Sequence, residues 1–275
     1  MKASKIQDKL IFIGLALATI VTLSPLILAF INSLKTMGEM YTSVTAWPVE
    51  PKFDNYTVAF ERMDFINALC NTTIITSCSV AGIIVITSLA GYKICRTKTK
   101  FASFMYYFFI FSMLIPFSAV MVTIAKEISW MGLTGTKFGI IITYMGFGCS
   151  QAIFLYHGFV KGIPIDMEEA ARIDGCNEFK MFYTIIFPCL KPITATIAIL
   201  NVLWIWNDFL LPLILLSKQA NYTLVLSTNK FFGAYISDWP NIMAGLLMSV
   251  IPIVIFYIVF QKHIMSGIVS GAVKG

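Results

Sequence analysis

Side chains that could do chemistry are scarce in this chain of 275 residues, of which only 12% are charged. The largest group lies in the stretch EEAARIDGCNEFKMFYTIIFPCLKP, residues 168–192, which is polar at its start and apolar toward its end. The sequence shows no Ser–His pair, HExxH motif or pair of carboxylates placed at one depth. It therefore gives no support to a catalytic site, and the polar stretch needs another explanation.

The sequence also lacks the patterns of nucleotide and metal chemistry. The Walker A pattern GxxxxGK[ST] does not occur, and the nearest candidates, GLTGTKFG and SGAVKG, lack its spacing. None of the six cysteines forms a CxxC pair, and His157 has no second ligand placed beside it. These observations predict no metal site, no disulfide and no ATP hydrolysis by this chain.

Asp208 is the one ionisable residue inside a long apolar segment, residues 192–217. Such a residue is costly in hydrocarbon and is often functional. Asn207 lies beside it, and Trp204 supplies an aromatic face of the kind that sugars need. Two interpretations stay open: Asp208 lines or gates a pore, or it makes a polar contact between helices. Asn201 is a weaker pore candidate, for which a structural role is favoured.

The elements that must position these residues are membrane-spanning helices. Mean hydropathy is +0.81, and 58% of the residues are hydrophobic. A helix needs about 20 residues to cross about 30 Å of hydrocarbon, and long segments nearly free of charge exceed that length. They predict spans at about 10–31, 71–91, 102–124, 138–159, 192–214 and 241–261. The chain is therefore expected to be an all-α integral membrane protein, with six transmembrane helices in a single domain of residues 1–275.

Lysine and arginine are distributed unequally between the two sides that six spans define. Thirteen of the 20 fall on the side of the termini, and cytoplasmic loops carry the excess of these residues. Both termini and the loop of residues 160–191 are therefore predicted to be cytoplasmic. The net charge of +6 is mostly this orientation signal and does not indicate nucleic-acid binding.

We call residues 160–191 the polar insert. Pro164 stops the preceding helix. Asp166 is predicted to cap a new helix, with Glu169 completing a capping box. Gly175 is predicted to end that helix in the left-handed conformation. The insert is therefore expected to begin with one short, sharply bounded helix.

A second helix is predicted after Asn177, so that residues 166–187 form two helices joined by a glycine hinge and parallel to the membrane. In the first helix, one side of small and polar character comprises Met167, Ala170, Ala171 and Asp174. The apolar residues of the second helix are Phe179, Met181, Phe182, Ile185 and Ile186. From the residues alone, two roles stay open: docking into a groove of another protein, or an ordinary interfacial loop helix.

The insert resembles the EAA loop of the integral membrane subunits of bacterial binding-protein-dependent ABC importers. That pattern is Glu-Ala-Ala, three residues, Gly, nine residues, Ile, one residue and Leu-Pro. Its fixed positions are occupied here by Glu169, Ala170, Ala171, Gly175, Ile185 and Pro188. Phe187 replaces the leucine, which is a mild apolar exchange.

The resemblance extends along nearly the whole chain, toward the carbohydrate-importer branch that includes the maltose-type second permease. Similar residues follow the first span, end the second, lie in the fifth and close the chain. They are Ser33-Leu34-Lys35-Thr36, Pro51, Phe53, Asn55-Tyr56, Ser88-Leu89-Ala90-Gly91-Tyr92, Arg96, Trp206-Asn207-Asp208-Phe209, Pro212-Leu213 and Gly271-Ala272-Val273-Lys274-Gly275. The resemblance implies the type I ABC importer permease fold and a multi-pass location in the bacterial plasma (inner) membrane.

The resemblance also implies partners: a second homologous permease, two cytoplasmic ATPase subunits and an extracytoplasmic solute-binding protein. ATP and Mg would bind to the ATPases, and no cofactor is expected on this chain, which would be a transport subunit rather than an enzyme. The residues expected to couple it to the ATPases are Glu168, Glu169, Ala170, Ala171, Arg172, Asp174, Gly175 and Pro188. Tail residues Gly271, Lys274 and Gly275 are candidates for a further contact with the ATPases, if the tail is extended rather than frayed.

The expected function is half of the transmembrane pathway of an ATP-driven importer for a di- or oligosaccharide. An importer of this kind for glycerol phosphate, a polyamine or another small solute is the alternative. An ion-coupled secondary transporter is disfavoured, because such proteins usually show internal repeats and several intramembrane charges. Whether this chain or the other permease contacts the substrate stays open at this point.

Overall fold

The computed structural model describes residues 2–233 and 237–272. In this part of the chain the secondary structure is helical, apart from one isolated antiparallel bridge between Phe232 and Ser237. The α-helices are α1 Lys2–Ser33, α2 Met37–Thr42, α3 Asp54–Arg62, α4 Phe65–Arg96, α5 Lys100–Ser112, α6 Phe117–Trp130, α7 Lys137–Val160, α8 Asp166–Ile173, α9 Glu178–Met181, α10 Phe187–Cys189, α11 Lys191–Asn207, α12 Leu210–Leu215, α13 Leu224–Ser227 and α14 Trp239–Ala272. A π-helix, Phe182–Ile186, joins α9 to α10, and 3-10 turns occupy Gln219–Asn221 and Thr228–Phe231.

Internal contacts divide the chain into two compact units, which are described separately. The first comprises Met1–Phe65 and Ser227–Pro252. The second comprises Ile66–Leu226 and Ile253–Gly275 and contains the whole polar insert.

In the first unit, buried polar groups tie the chain that follows α1 into a compact turn. Lys35 is only 1% exposed, and its ammonium group donates to the carbonyl oxygens of Ser43 and Val44 at 2.9 and 3.2 Å. The amide of Asn55 donates to the carbonyl oxygens of Ser33 and Lys35 at 2.8 and 2.9 Å. Lys35 is buried and Asn55 is half-buried, and because both donate to backbone carbonyls, these two residues hold the loop in shape.

A capping box opens the short helix α2 in the same loop. The hydroxyl of Thr36 accepts the N–H of Glu39, whose carboxylate accepts the N–H of Thr36 in return. The N–H groups of Thr36 and Val49 hold the pKa of Glu39 below its ordinary value. Because the folded-state pKa is lowered, these bonds stabilise the loop above that pKa and weaken as the pH falls through it.

In the second unit, glycines let long apolar helices approach closely. A Cβ atom at Gly91 of α4 would lie 2.7 Å from the Cβ atom of Tyr156 on α7. A Cβ atom at Gly148 of α7 would lie 2.8 Å from Oδ1 of Asn201 on α11. Neither position has room for a side chain, so the packing of α7 against α4 and α11 depends on glycine there.

Two of the expected spans are interrupted. Residues 102–124 do not form one helix, because Pro116 lacks an N–H to continue α5 and begins a new helix at an angle of 105°. Residues 192–214 are also divided, because α11 ends at Asn207 and Asp208 takes an extended conformation with ψ 131°. The segment Glu178–Cys189 and α11 meet at 75°.

Within the described residues, four helices are long and apolar enough to cross a membrane: Ile11–Ser33, Phe65–Arg96, Lys137–Val160 and Trp239–Gln261. The number rises to six if each bent pair forms one span, and the pairs are Lys100–Ser112 with Phe117–Trp130 and Glu178–Cys189 with Lys191–Asn207. The all-α class is therefore confirmed, and so are the apolar helices expected first, second, fourth and last.

The last helix is longer than predicted. The predicted span ends near residue 261, whereas α14 continues to Ala272. The residues that were predicted to form an extended or frayed tail are therefore helical as far as Ala272. Of the three tail candidates, Gly271 lies within this helix, and Lys274 and Gly275 lie outside the described residues.

Candidate functional site

The first helix of the polar insert, α8, ends in the glycine stop that the sequence predicts. Gly175 has a φ of +77°, and its N–H donates to the carbonyl of Arg172 at 3.0 Å. The N–H of Cys176 donates to the carbonyl of Ala171, also at 3.0 Å. This pair of bonds is a Schellman motif, which satisfies carbonyls that the helix end leaves open.

One of the two insert helices begins as the sequence predicts, and the other does not. Asn177 caps α9 as predicted, because its Oδ1 accepts the N–H of Lys180 at 2.8 Å. Asp166 does not cap α8, because Ile165 already has a helical conformation and occupies the cap position. The carboxylate of Asp166 therefore lies in the first turn, where the helix dipole favours a negative charge.

Gly175→Pro is expected to displace the second half of the insert. Proline has no N–H to donate to Arg172 and cannot adopt a positive φ, so the change costs about 3 kcal/mol or more of local stability. Hydrogen exchange of the purified chain should become faster over residues 166–187 and stay unchanged in α4 and α7. Gly175→Ala, which keeps the N–H, is the graded control and should cost about 1 kcal/mol. Equal exchange in all three proteins would contradict the assigned stop.

Glu168 is a buried carboxylate with two anchoring partners. The residue is 1% exposed; Oε1 accepts a hydrogen bond from Nε of Arg96 at 2.6 Å, and Oε2 accepts one from the hydroxyl of Tyr92 at 2.8 Å. Arg96 also donates through Nη2 to the carbonyl of Ile163 at 2.8 Å. The end of α4 therefore binds the insert at two residues, Glu168 and Ile163. A charge withdrawn from water remains stable only when it is paired in this way.

The sequence placed Glu168 among the contacts to a partner protein and did not reveal this anchor. Tyr92 and Arg96 are four positions apart, so they share one face of α4. They lie 76 and 72 positions from Glu168 along the chain, and no local pattern connects them. The one sequence signal for Tyr92 and Arg96 was that both belong to the residues at the end of the second span that resemble the carbohydrate-importer branch.

The outer side of α8 presents charged and apolar groups together. The exposed residues of this helix and its C-cap are Asp166, Met167, Glu169, Ala170, Arg172, Ile173 and Asp174. Ile173 is 86% exposed, which is unusual for so large an apolar side chain. The prediction that Ala171 shares the outer side of the helix with Met167 and Ala170 was wrong, because Ala171 is only 2% exposed. Ala171 follows Glu168 by three positions, so both turn inward on the same face.

The second half of the insert packs onto the end of α4. Met181, Phe182 and Ile186 are at most 1% exposed, and the ring centroid of Phe182 lies 5.3 Å from that of Tyr92. Phe179, by contrast, is 71% exposed. The apolar side predicted for this segment therefore rests on other helices, apart from its first aromatic residue.

A cavity of about 850 Å³ lies between α5, α6, α7 and α11. Its polar lining comprises Ser112, Thr123, Glu127, Thr143, Ser150 and Gln151. Trp204 also lines it, and its role as a pore residue stays a prediction. Glu127 and Gln151 were not selected from the sequence, because an isolated polar residue in an apolar helix gives no periodic signal.

Asp208 lies at the break after α11 and not within a continuous helix. Its Oδ2 accepts the hydroxyl of Tyr144 at 2.9 Å, and its Oδ1 accepts the N–H of Leu210 at 3.0 Å. The ring of Tyr144 packs edge-on against Trp204, with centroids 5.4 Å apart. Asp208 thus positions an aromatic ring that contacts the cavity wall, although it is not itself among the lining residues of the described chain.

The two asparagine candidates lie outside the cavity lining as well. Asn207 is exposed, and its amide donates to the carbonyl of Leu203 at 2.7 Å. Asn201 is 2% exposed and donates to the carbonyl of Ile197 at 2.9 Å, while its Oδ1 lacks a hydrogen-bond partner among the described residues. Their proposed roles in a pore stay predictions.

This architecture defines a class of protein: a membrane protein of several helices, with a helical insert that is bound to the end of one long helix. Residues 82–269 match the family model described as binding-protein-dependent transport system inner membrane component. The chain belongs to this family. The expected kinship with ABC importer permeases is thereby confirmed, and the chain is a transport component in a multi-pass membrane family.

Curated relatives match over nearly the full length of the chain. It is 39% identical, over 100% of both chains, to the probable starch degradation products transport system permease protein AmyC of Thermoanaerobacterium thermosulfurigenes. It is 35% identical, over 99% of both chains, to the multiple sugar-binding transport system permease protein MsmG of Streptococcus mutans. It is 36% identical, over 91% of both chains, to the melibiose/raffinose/stachyose import permease protein MelC of Bacillus subtilis.

Solved structures show the same fold. A chain of a bacterial ABC transporter involved in the import of the acidic polysaccharide alginate superposes with a TM-score of 0.79 at 24% identity, covering 95% of this chain and 98% of that one. A chain of the alginate transporter in complex with its alginate pentasaccharide-bound periplasmic protein gives a TM-score of 0.67 at 16% identity, covering 94% and 95%.

Proposed function

We propose that this chain is one of two homologous membrane subunits that form the pathway of an ATP-driven carbohydrate importer. The observation that carries the proposal is the agreement of three relatives, each at least 35% identical over at least 91% of this chain, whose names all specify sugars. Two of those names refer to starch degradation products and to melibiose, raffinose and stachyose, which supports a di- or oligosaccharide.

The bent pair of α5 and α6 would form one span and α11 another, giving six spans with both termini and the polar insert in the cytoplasm. The distribution of lysine and arginine supports this arrangement, because thirteen of the 20 lie on that side. The family description as an inner membrane component supports a location in the bacterial plasma membrane.

The exposed side of α8 would dock on a pair of ATPase subunits, which bind ATP and Mg. Glu169, Arg172 and Ile173 supply charge and an apolar anchor on that side, as protein interfaces require. Its opposite side is fixed to α4 through the bond between Glu168 and Arg96. A rigid link of this kind would carry a movement of the ATPases into α4. Coupling requires that the ATP-bound partners favour one conformation of the membrane subunits.

The cavity between α5, α6, α7 and α11 would be this chain's share of the sugar pathway. Trp204 offers an aromatic face, and Gln151 and Glu127 offer hydrogen-bonding groups for hydroxyls. The second permease would close the open side, and an external binding protein would deliver the sugar. The alginate transporter, a structural neighbour solved in complex with a periplasmic protein that holds an alginate pentasaccharide, supports the last point.

Asp208→Ala is expected to lower sugar uptake several-fold, because Tyr144 loses the carboxylate that fixes its ring beside Trp204. A hydrogen bond to a charged group contributes about 1.5–3 kcal/mol. Tyr144→Phe should have an effect of the same direction, and the double variant should be no worse than the stronger single change. Uptake into proteoliposomes tests this, and additive losses would show that the two residues act separately.

Affinity purification of the tagged chain from native membranes, in mild detergent and with mass spectrometry of the recovered proteins, tests the proposed assembly. We expect a second permease, an ATPase and a binding protein. The recovered binding protein is then titrated with raffinose, starch-derived oligosaccharides, glycerol phosphate and spermidine. Recovery of this chain alone would overturn the assembly, and binding of spermidine or glycerol phosphate without sugars would overturn the substrate class.

A further inference from the structure

A second cavity, of about 690 Å³, lies where three helices of the second unit end. The end of α4, the start of α5 and the end of α7 surround it. Its charged and polar lining comprises Thr97, Lys98, Thr99, Lys100, Ser103, Tyr106, Tyr107, His157 and Lys161. Three of these side chains are cationic and none is acidic, so the cavity has the composition of an anion site.

The cations of this cavity are available to a ligand. Lys98, Lys100 and Lys161 are exposed, and none of them forms an ion pair within the described part of the chain. The neighbouring Arg96, by contrast, is occupied by Glu168. Three unpaired ammonium groups around one cavity repel each other, and a bound anion would relieve that repulsion.

The start of α5 adds backbone donors to the same cavity. Thr99 caps this helix of 13 residues by accepting the N–H of Ala102 at 3.2 Å. The N–H groups of Lys100 and Phe101 belong to the first turn, where a helix provides no acceptor. Phosphate binds readily to such N–H groups because the helix dipole favours negative charge there.

A buried histidine gives the second, independent sign of a ligand. His157 is 8% exposed and lines the cavity, and its ring stacks on that of Tyr106 with centroids 3.8 Å apart. Its Nδ1 has no hydrogen-bond partner in the described residues. A buried polar atom without a partner is costly, and because Nδ1 has almost no accessible surface, a ligand in the cavity would satisfy it once the ring turns toward the cavity.

An apolar stripe leads away from the cavity along α5. It comprises Phe101, Phe104, Phe108 and Phe111, each of them more than half exposed. Their spacing of three and four positions places them on one face of the helix. A phosphate group held in the cavity could therefore carry hydrocarbon chains that lie along these rings.

We propose that this cavity binds the phosphate of an anionic phospholipid, whose acyl chains pack along the phenylalanine stripe of α5. The proposal rests on the membrane placement given under the proposed function but not on the transported solute. The cavity lies at the ends of apolar helices, where lipid headgroups meet water, and an anionic headgroup is attracted by lysines at that depth. A free phosphorylated compound has the same headgroup chemistry and is distinguished by the test.

Native mass spectrometry of the purified full chain in detergent tests the proposal by counting bound lipids. The probes are phosphatidylglycerol and phosphatidylcholine with identical acyl chains, with inorganic phosphate and glycerol 3-phosphate as competitors. Retention of phosphatidylglycerol should exceed that of phosphatidylcholine. In the variant Lys98→Gln, Lys100→Gln, Lys161→Gln it should fall by about tenfold or more. The control Lys126→Gln, Lys137→Gln, Lys218→Gln removes three charges of the same unit outside the cavity and should retain the lipid.

His157→Phe provides a second variant, since it keeps a ring beside Tyr106 but removes Nδ1. It should also lower the retention of phosphatidylglycerol. Equal retention of both lipids, or an equal loss in the control triple variant, would overturn the proposal. Complete displacement by glycerol 3-phosphate or inorganic phosphate at equal concentration would assign the cavity to a soluble phosphate compound instead. Lipid counting needs neither ATPase nor sugar. A failure of the proposed transport function would therefore not change how the lipid count is interpreted.

Discussion

Glu168→Gln is expected to release the polar insert from α4 and to abolish ATP-driven uptake. The amide removes the negative charge that Arg96 and Tyr92 hold at 2.6 and 2.8 Å, and it leaves the guanidinium without a counter-charge. Breaking a buried pair costs about 3 kcal/mol, the lower end of the usual range, because 18% of the Arg96 side chain is exposed. Exchange of the amides of residues 166–187 should accelerate about a hundredfold. Uptake into proteoliposomes should fall by about tenfold or more, because the insert no longer moves together with α4.

A second ion pair between α4 and the insert supplies the matched control. Lys93 and Glu178 also lie 2.6 Å apart, but their side chains are 60% and 65% exposed. Water screens exposed pairs so that they contribute little to stability, and Glu178→Gln should therefore change exchange and uptake little. The double variant Arg96→Met, Glu168→Met removes both charges and should recover much of the lost stability. If Glu168→Gln and Glu178→Gln gave the same exchange rates, the anchor would be misassigned.

Glu169→Lys is expected to abolish uptake by a different route. Glu169 is exposed and forms no ion pair in the described chain, so the change should leave exchange over the insert as in the wild type. On the proposed docking surface, however, it reverses one charge, and like charges brought together at an interface cost several kcal/mol. Uptake should therefore fall by about tenfold or more, with less ATPase recovered during affinity purification.

The control for Glu169→Lys is Glu61→Lys, which makes the same change of charge at an exposed position of α3. It should leave uptake and the recovery of ATPase unchanged. Normal uptake by Glu169→Lys would remove the support for the docking surface. Normal recovery of ATPase together with lost uptake would instead place Glu169 in the transmission of movement, after docking.

Together, the two substitutions separate the two sides of one short helix. Glu168 and Glu169 are adjacent in the chain and chemically identical, yet one is 1% exposed and the other lies in water. Helical geometry turns consecutive residues by about 100°, so neighbours need not share an environment. The exchange measurement reports the inner side, and the recovery of ATPase reports the outer side.

The amino-acid sequence alone determined those features that depend on local physics. Long apolar segments predicted the membrane helices because the hydrocarbon thickness sets their length. Gly175 and Asn177 predicted a helix stop and a helix start, because the left-handed conformation and a side-chain cap have strong residue preferences. The spacing of the EAA pattern identified the family before any fold was known.

Only the tertiary structure decided which polar groups meet. The anchor of Glu168 joins residues 72 and 76 positions apart, and the bond of Asp208 to Tyr144 joins residues 64 positions apart. The same holds for the cavity around His157, which three helix ends create together. A residue's type fixes what it can bind, but burial and partners follow from how distant helices pack, and no local pattern in the sequence records that packing.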